Sequence, residues 1–289
     1  LRGGGAVKDS CVCFVQDEVR QFELQAQESC VTALISEDAL AGRLLQGMAG
    51  LRKLKHGVIE YPCIPHKKKD MSRWVQYVPD DIICYRNLKV KDYLRGMSYA
   101  VSRETAGEAE RLCELFGIDV TTNFLEMTFE QNRLVAMIQA LARKPRLLLL
   151  DKPSDMLGKR AYLMLWREIF KQQQEGMAVV LVSECYEDIG IPCDRYLFFE
   201  KDEKTLSFSQ GTLPHPAKVI TLEGGTPDSM NPDKLKIISR GLNKVRFLYW
   251  EEDARDIASR ICESGCYDFS VEELSMEEEI TQNYEGWML

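Results

Sequence analysis

No apolar run in this 289-residue chain approaches the roughly 20 residues that a membrane-crossing helix needs. The opening residues also lack the apolar core of a signal peptide, and Leu1-Arg2-Gly3-Gly4-Gly5 reads as a frayed end. Positive charge is scarce. The net charge is −8, so no global basic field exists to attract nucleic acid. The basic run His66-Lys67-Lys68-Lys69 is local and reads as a solvated loop. Metal-ligand spacing is missing as well. Neither the Cys11/Cys13 pair nor the Cys262/Cys266 pair comes with the Cys or His partners of a zinc site. The ten cysteines are scattered and read as thiols in a reducing compartment. Internal repeats and low-complexity tracts are lacking too.

What is present is a globular pattern. Hydrophobic residues make up 45% of the chain, which suits a packed core and excludes disorder. Short strands are expected at Val12–Val15 and Val19–Leu24, followed by a continuous apolar strand at Val31–Ile35. Leu40, Leu44, Leu45, Met48 and Leu51 then fall on one face of a helix. Trp74–Val78 reads as a further strand. From Val90 to Leu141 the pattern is mainly helical, with Gly117 stopping a helix over Glu104–Phe116. Asn132–Ala142 is the next helix, ended by Pro145. The buried strand Leu147–Leu150 follows, then a helix over Arg160–Gln174 stopped by Gly176. Ala178–Val182 is a second buried strand, and Tyr196–Phe199 with Thr205–Phe208 forms a closing hairpin. Strands alternating with helical crossovers predict an α/β fold with a parallel sheet and antiparallel edge strands.

The main domain is expected over 6–213. A linker follows at 214–234, marked by Pro214, Pro216, Pro227, Pro232 and the Gly224-Gly225 pair. Residues 235–289 read as a small α/β appendage ending in an acidic helix at Met276–Tyr284.

The strand Leu147-Leu148-Leu149-Leu150 ends in Asp151, which is how a P-loop nucleotidase carries a magnesium-binding aspartate to a sheet edge. Other anchors are colinear with it. They are Met48-Ala49-Gly50-Leu51, Val75-Gln76-Tyr77-Val78-Pro79, Leu88 to Leu94, Ala140-Leu141-Ala142 with Pro145, Cys193-Asp194-Arg195, and Val271-Glu272-Glu273-Leu274-Ser275. Together they resemble the ATP-binding subunit of an ABC transporter, close to the drug- and bacteriocin-exporting branch. The resemblance covers almost the whole chain and implies a P-loop-nucleotidase-like parallel sheet with antiparallel edge strands, a helical subdomain at about 80–142 and a small C-terminal α/β appendage. It implies a cytoplasmic subunit, peripheral to the membrane through a permease partner, and paired with a second ABC ATPase chain or with itself.

The same resemblance exposes replaced chemistry. A phosphate cradle needs glycines, a lysine and a hydroxyl. Counted back from Met48 without gaps, the loop reads Ile35, Ser36, Glu37, Asp38, Ala39, Leu40, Ala41, Gly42 and Arg43. Ile35 and Leu40 stand at glycine positions, Ala41 at the lysine and Gly42 at the hydroxyl. Each acidic charge held about 4 Å from a phosphate costs on the order of a few kcal/mol at surface-like dielectric. A two-residue shift would make Gly42-Arg43 imitate Gly-Lys. Asp80 stands for the Q-loop glutamine. The signature loop reads Thr128, Phe129, Glu130 and Gln131 after Met127, with Phe129 and Glu130 at its glycines. Gly158 stands for the D-loop aspartate. Lys152 follows the strand-end aspartate where a catalytic glutamate belongs, and Glu184 replaces the switch histidine.

Lys152 and Glu184 should face each other, with Asp80 and Asp151 close by. An ionic cluster filling the magnesium and phosphate space is the resulting expectation. Removing one partner of such a partly buried pair is expected to cost roughly 3–5 kcal/mol. No cofactor and no hydrolysis are expected; ATP with magnesium at Asp151 is the alternative. The chain is therefore expected to be a degenerate export-type ABC subunit. A non-transport scaffold that reuses the fold, and a weak ATPase rebuilt around Arg43 and Asp151, are the other readings.

Overall fold

The computed structural model describes residues 11–17, 22–36, 39–54, 57–64, 71–81, 87–98, 102–185, 189, 191, 193–199, 205–209, 217–223, 235–241, 243–250, 254–263, 265 and 267–273. It divides into two units, Leu1–Ser209 and Gln210–Leu289.

In the first unit, β1 (Cys11–Asp17) pairs antiparallel with β2 (Phe22–Gln27) and β4 (Val58–Glu60). The second strand was expected at Val19–Leu24; it starts later, and 18–21 lie outside the described residues. A six-stranded sheet forms the centre, in the order β5 (Val75–Val78), β6 (Leu147–Asp151), β7 (Ala178–Ser183), β3 (Val31–Ile35), β8 (Arg195–Phe199) and β9 (Thr205–Ser209). All neighbours run parallel except β8 and β9. Strands β3, β6 and β7 are buried along their whole length, as unbroken apolar runs in a covered parallel sheet should be.

Helix α1 (Leu40–Met48) follows β3 and presses Leu44, Leu45 and Met48 into the core that β1, β6 and β7 share. The short α2 (Met71–Trp74) takes up Trp74, which had been read as strand. The helical layer is α3 (Val90–Ser98), α4 (Arg103–Leu115) and α5 (Phe129–Ala142), with a 3-10 turn at Phe124–Glu126. Ser102 caps α4 by accepting from Thr105 N, and Gly117 at φ +66° ends it in the left-handed conformation that favours glycine. Helix α6 (Lys159–Gln174) crosses from β6 to β7. Arg111 of α4 donates to the buried Glu168 of α6 at 2.7 Å, tying these two helices. Among the described residues no helix is long and apolar enough to cross a membrane.

The second unit is a four-stranded antiparallel sheet in the order β11 (Leu235–Arg240), β12 (Lys244–Trp250), β10 (Ala217–Glu223) and β13 (Phe269–Glu273). Helix α7 (Ala254–Glu263) lies between β12 and β13 in sequence. Its Ile257 and Ile261, one turn apart, pack on Ile220, Leu222, Phe247 and Tyr249. Val219 and Leu248 bury on the opposite side. The ladder between β11 and β12 carries a bulge at Ile237/Ser239.

The expected linker is therefore corrected. Ala217–Glu223 is an inner strand paired on both edges. Prolines and glycines on either side of it masked a period-2 alternation of Ile220 and Leu222. Residues 210–216 and 224–234 lie outside the described residues, as do the basic run at 66–69 and the acidic segment 276–284. Replacing Ile220 by alanine should cost about 2–4 kcal/mol in chemical denaturation of the full chain, whereas a linker position would move stability by less than about 0.5 kcal/mol.

Candidate functional site

The carboxyl ends of β3, β5, β6 and β7 meet beside the first turn of α1, the place where open parallel sheets expose their chemistry. Ile35 and Ser36 close β3 and are buried, and Ser36 N donates to Ser183 O at 3.1 Å. Glu37 and Asp38 lie outside the described residues. Ala39 sits at the N-cap of α1 without a side-chain cap bond. Leu40 and Ala41 face the core, Gly42 is half-buried and Arg43 is exposed.

Asp151 ends β6. A Cβ added to Gly42 would lie 3.3 Å from its Oδ2, so bare backbone is what lets the carboxylate rest against α1. The Tyr77 hydroxyl donates to the same Oδ2 at 3.0 Å. Burial raises the Asp151 pKa above the usual carboxylate value. Tyr77's hydrogen bond pulls it down, Asp80 adds to the rise, and Lys152 and Arg133 oppose it. Burial, then the charge of Asp151, pushes the Tyr77 hydroxyl up to about 12, so it remains a donor at neutral pH.

Lys152 takes a positive φ of +46°, an uncommon conformation for a bulky side chain. Its N–H donates to Val182 O at 3.0 Å, which keeps it bound to β7 after the regular ladder ends. From there its ammonium hydrogen-bonds Glu184 Oε1 and lies 3.6 Å from Asp80 Oδ2. Glu184's hydrogen bond raises the Lys152 pKa, and Asp80 supports the rise. Three members of the expected cluster, Lys152, Glu184 and Asp80, thus come together, whereas Asp151 is held by Tyr77 and α1 and not by an ion pair with Lys152.

Its expected energy is corrected by exposure. The Lys152 side chain is 28% exposed and that of Glu184 59%, so this is a water-screened pair, not a buried one. Such pairs are worth about 0–1 kcal/mol.

The signature-like residues are also placed differently from the loop read in the sequence. Phe129, Glu130 and Gln131 form the first turn of α5. Thr128 Oγ1 accepts from Gln131 N at 3.2 Å and Gln131 Oε1 accepts from Thr128 N at 2.9 Å, a reciprocal capping box. Glu130 Oε1 accepts from Gly158 N at 2.7 Å, so this acid folds back on the start of α6. Phe129 is 72% exposed.

Sequence reasoning missed Arg133. It is 1% exposed and reaches both strand ends. Nη1 donates to Pro79 O and, at 3.1 Å, to Asp80 O; Nη2 donates to Asp151 O at 2.5 Å and Lys152 O at 3.0 Å. The signal was there: Arg133 stands one turn before Met137 on a face that otherwise reads as core.

No protein-family model matches the chain. It is 25% identical over 183 residues to the arabinose import ATP-binding protein AraG of Paraburkholderia xenovorans, covering 60% of this chain and 33% of that protein. It is 34% identical over 110 residues to the energy-coupling factor transporter ATP-binding protein EcfA2 of Streptococcus agalactiae, covering 35% of this chain and 38% of that one. The matches thus span little more than a third of these relatives' length. A solved ATP-binding subunit of an ABC transporter superposes with a TM-score of 0.61 at 17% identity, covering 69% of this chain and 90% of that chain. The fold is that of an ABC transporter ATP-binding domain. The relatives' names support kinship with ATP-binding subunits of this class. The expected export branch finds no support in them, since they are import and energy-coupling proteins.

Two outcomes are expected from this geometry. Lys152→Met should lower stability by about 1 kcal/mol or less, an effect that salt reduces, as read by urea unfolding at low and high ionic strength. Asp151→Asn keeps an acceptor for Tyr77 and removes a charge that burial disfavours. A carboxyl whose folded pKa is raised adds stability at low pH and loses it as pH rises through that pKa. Asp151→Asn should therefore be more stable than wild type at pH 7, with the gap closing below about pH 4.

Proposed function

We propose that this chain is a non-hydrolysing ATP-binding-cassette subunit of an ABC transporter, docked on a membrane permease at the cytoplasmic face and paired with a second ABC ATPase chain or with a copy of itself. One observation carries the loss of hydrolysis: an ammonium group, Lys152, bonded to Glu184 and beside Asp80 at the strand ends where phosphoryl-transfer chemistry would be done. Hydrolysis needs a positioned base for water and cationic stabilisation of the transferring group. Here the position after Asp151 carries a cation, and that cation is engaged by carboxylates.

ATP with magnesium suits these residues poorly. The hydroxyl that binds magnesium belongs beside the strand-end aspartate. Gly42 is the residue whose Cβ would face Asp151, and it supplies no hydroxyl. That facing supports the gapless count, with Ala41 at the lysine position and its side chain in the core. It weighs against the shifted register that would turn Arg43 into a phosphate contact. Glu130 at a signature glycine puts a carboxylate and its hydrogen bond to Gly158 where a partner's phosphate would approach backbone N–H groups.

The fold matches 90% of a solved ATP-binding subunit of an ABC transporter, which supports a role alongside a permease; the reading against catalysis rests on Lys152 and its carboxylate partners. The relatives' names favour an import-type or energy-coupling assembly over the exporter.

Calorimetric titration of the purified chain with Mg-ATP should give no binding heat up to about 1 mM, and phosphate release should stay at the buffer rate. A ligand at one hundred times its dissociation constant would raise stability by about 2.7 kcal/mol, so a thermal shift is a sensitive second measure. Tight Mg-ATP binding sinks the proposal.

A further inference from the structure

Arg133 links three parts of the first unit: α5, the segment that leaves β5, and the segment that leaves β6. Its four hydrogen bonds all go to main-chain carbonyls, those of Pro79 and Asp80 on one side and Asp151 and Lys152 on the other. These oxygens sit where the sheet ladder gives out, and a buried carbonyl without a donor is costly. A guanidinium suits the task because its planar fork reaches two pairs of acceptors at once. A lysine offers three donors on one nitrogen and cannot span them. Burial lowers the Arg133 pKa, and the charges of Asp80, Asp155 and Asp151 oppose that fall. The same grip fixes the backbone of Asp80 and Lys152, whose side chains then stand 3.6 Å apart.

We propose that Arg133 is the positioning residue of this sheet edge. It acts as a built-in tie between the helical layer and the two strand ends, in the role that a bound magnesium nucleotide would otherwise fill, and it sets Asp80 within reach of Lys152. The inference rests on the reading of the site as one that works without nucleotide. It identifies what holds the site closed instead.

Hydrogen exchange on the full chain tests it, comparing wild type with Arg133→Lys, which keeps charge and most of the volume. In wild type the amides of 80–81 and of 152, 154 and 155 should exchange as one unit, at rates unchanged by 1 mM Mg-ATP. In Arg133→Lys both segments should exchange at least tenfold faster, while the amides of β3 and β7 keep their wild-type rates. A double-mutant cycle of Asp80→Asn and Lys152→Met should show coupling in wild type that disappears in the Arg133→Lys background, a change that a merely space-filling arginine would not produce. Exchange at both segments within twofold of wild type in Arg133→Lys, or coupling that persists there, overturns the proposal. If Arg133→Lys does not fold, wild type alone decides. Independent opening of the two segments overturns the proposal, and concerted opening upholds it. Calorimetric heat with Mg-ATP counts against the proposed function, and the exchange result bears on Arg133 separately.

Discussion

Two neighbouring strands of a parallel sheet end side by side, and the carbonyl oxygens at their ends need donors that the ladder no longer supplies. This constraint organises the first unit. Arg133 meets it from α5 with four hydrogen bonds, and Lys152 N meets Val182 O across the gap to β7. Once the backbone is held there, the positions of Asp80, Asp151, Lys152 and Glu184 follow. The charged side chains are the visible part of the site, and the main-chain oxygens behind them determine where those side chains can go.

The charges divide by environment. Asp151 is buried against α1 and Tyr77, and its ionised form is disfavoured there. Lys152 and Glu184 are wetter and attract each other through screened water. The first arrangement costs stability and the second adds little. Neither is what a stability-optimised edge would carry, which places the interest of these residues in local charge and shape. On the function proposed above, Lys152 stands at the point from which an acid would direct water at a phosphate.

Much of this architecture was legible before any coordinates. The unbroken run Leu147–Leu150, closed by Asp151, suited a covered parallel strand, and Gly117 suited the end of a helix. The opposition of Lys152 and Glu184 followed from colinearity with a known family. What stayed hidden had physical causes. The start of α5 at Phe129 is written in the Thr128 to Gln131 spacing of a capping box, which overlaps the stretch that resembles the family's signature loop. Arg133 was invisible because a charge on a helix is ordinarily solvated, and only its phase with Met137 betrays its burial. The ion-pair energy was overestimated because side-chain exposure cannot be read from a sequence. Strand β10 was lost among prolines and glycines that flank it without entering it.

Among the described residues of the second unit, β11 is an outer strand that pairs on one side only. Its bulge at Ile237/Ser239 bends the strand, and Lys236 and Arg240 place cations along it. A flat outer strand would template indiscriminate cross-chain pairing. The bulge and the cations of this strand work against such pairing, so its backbone is guarded from the stacking it would otherwise invite.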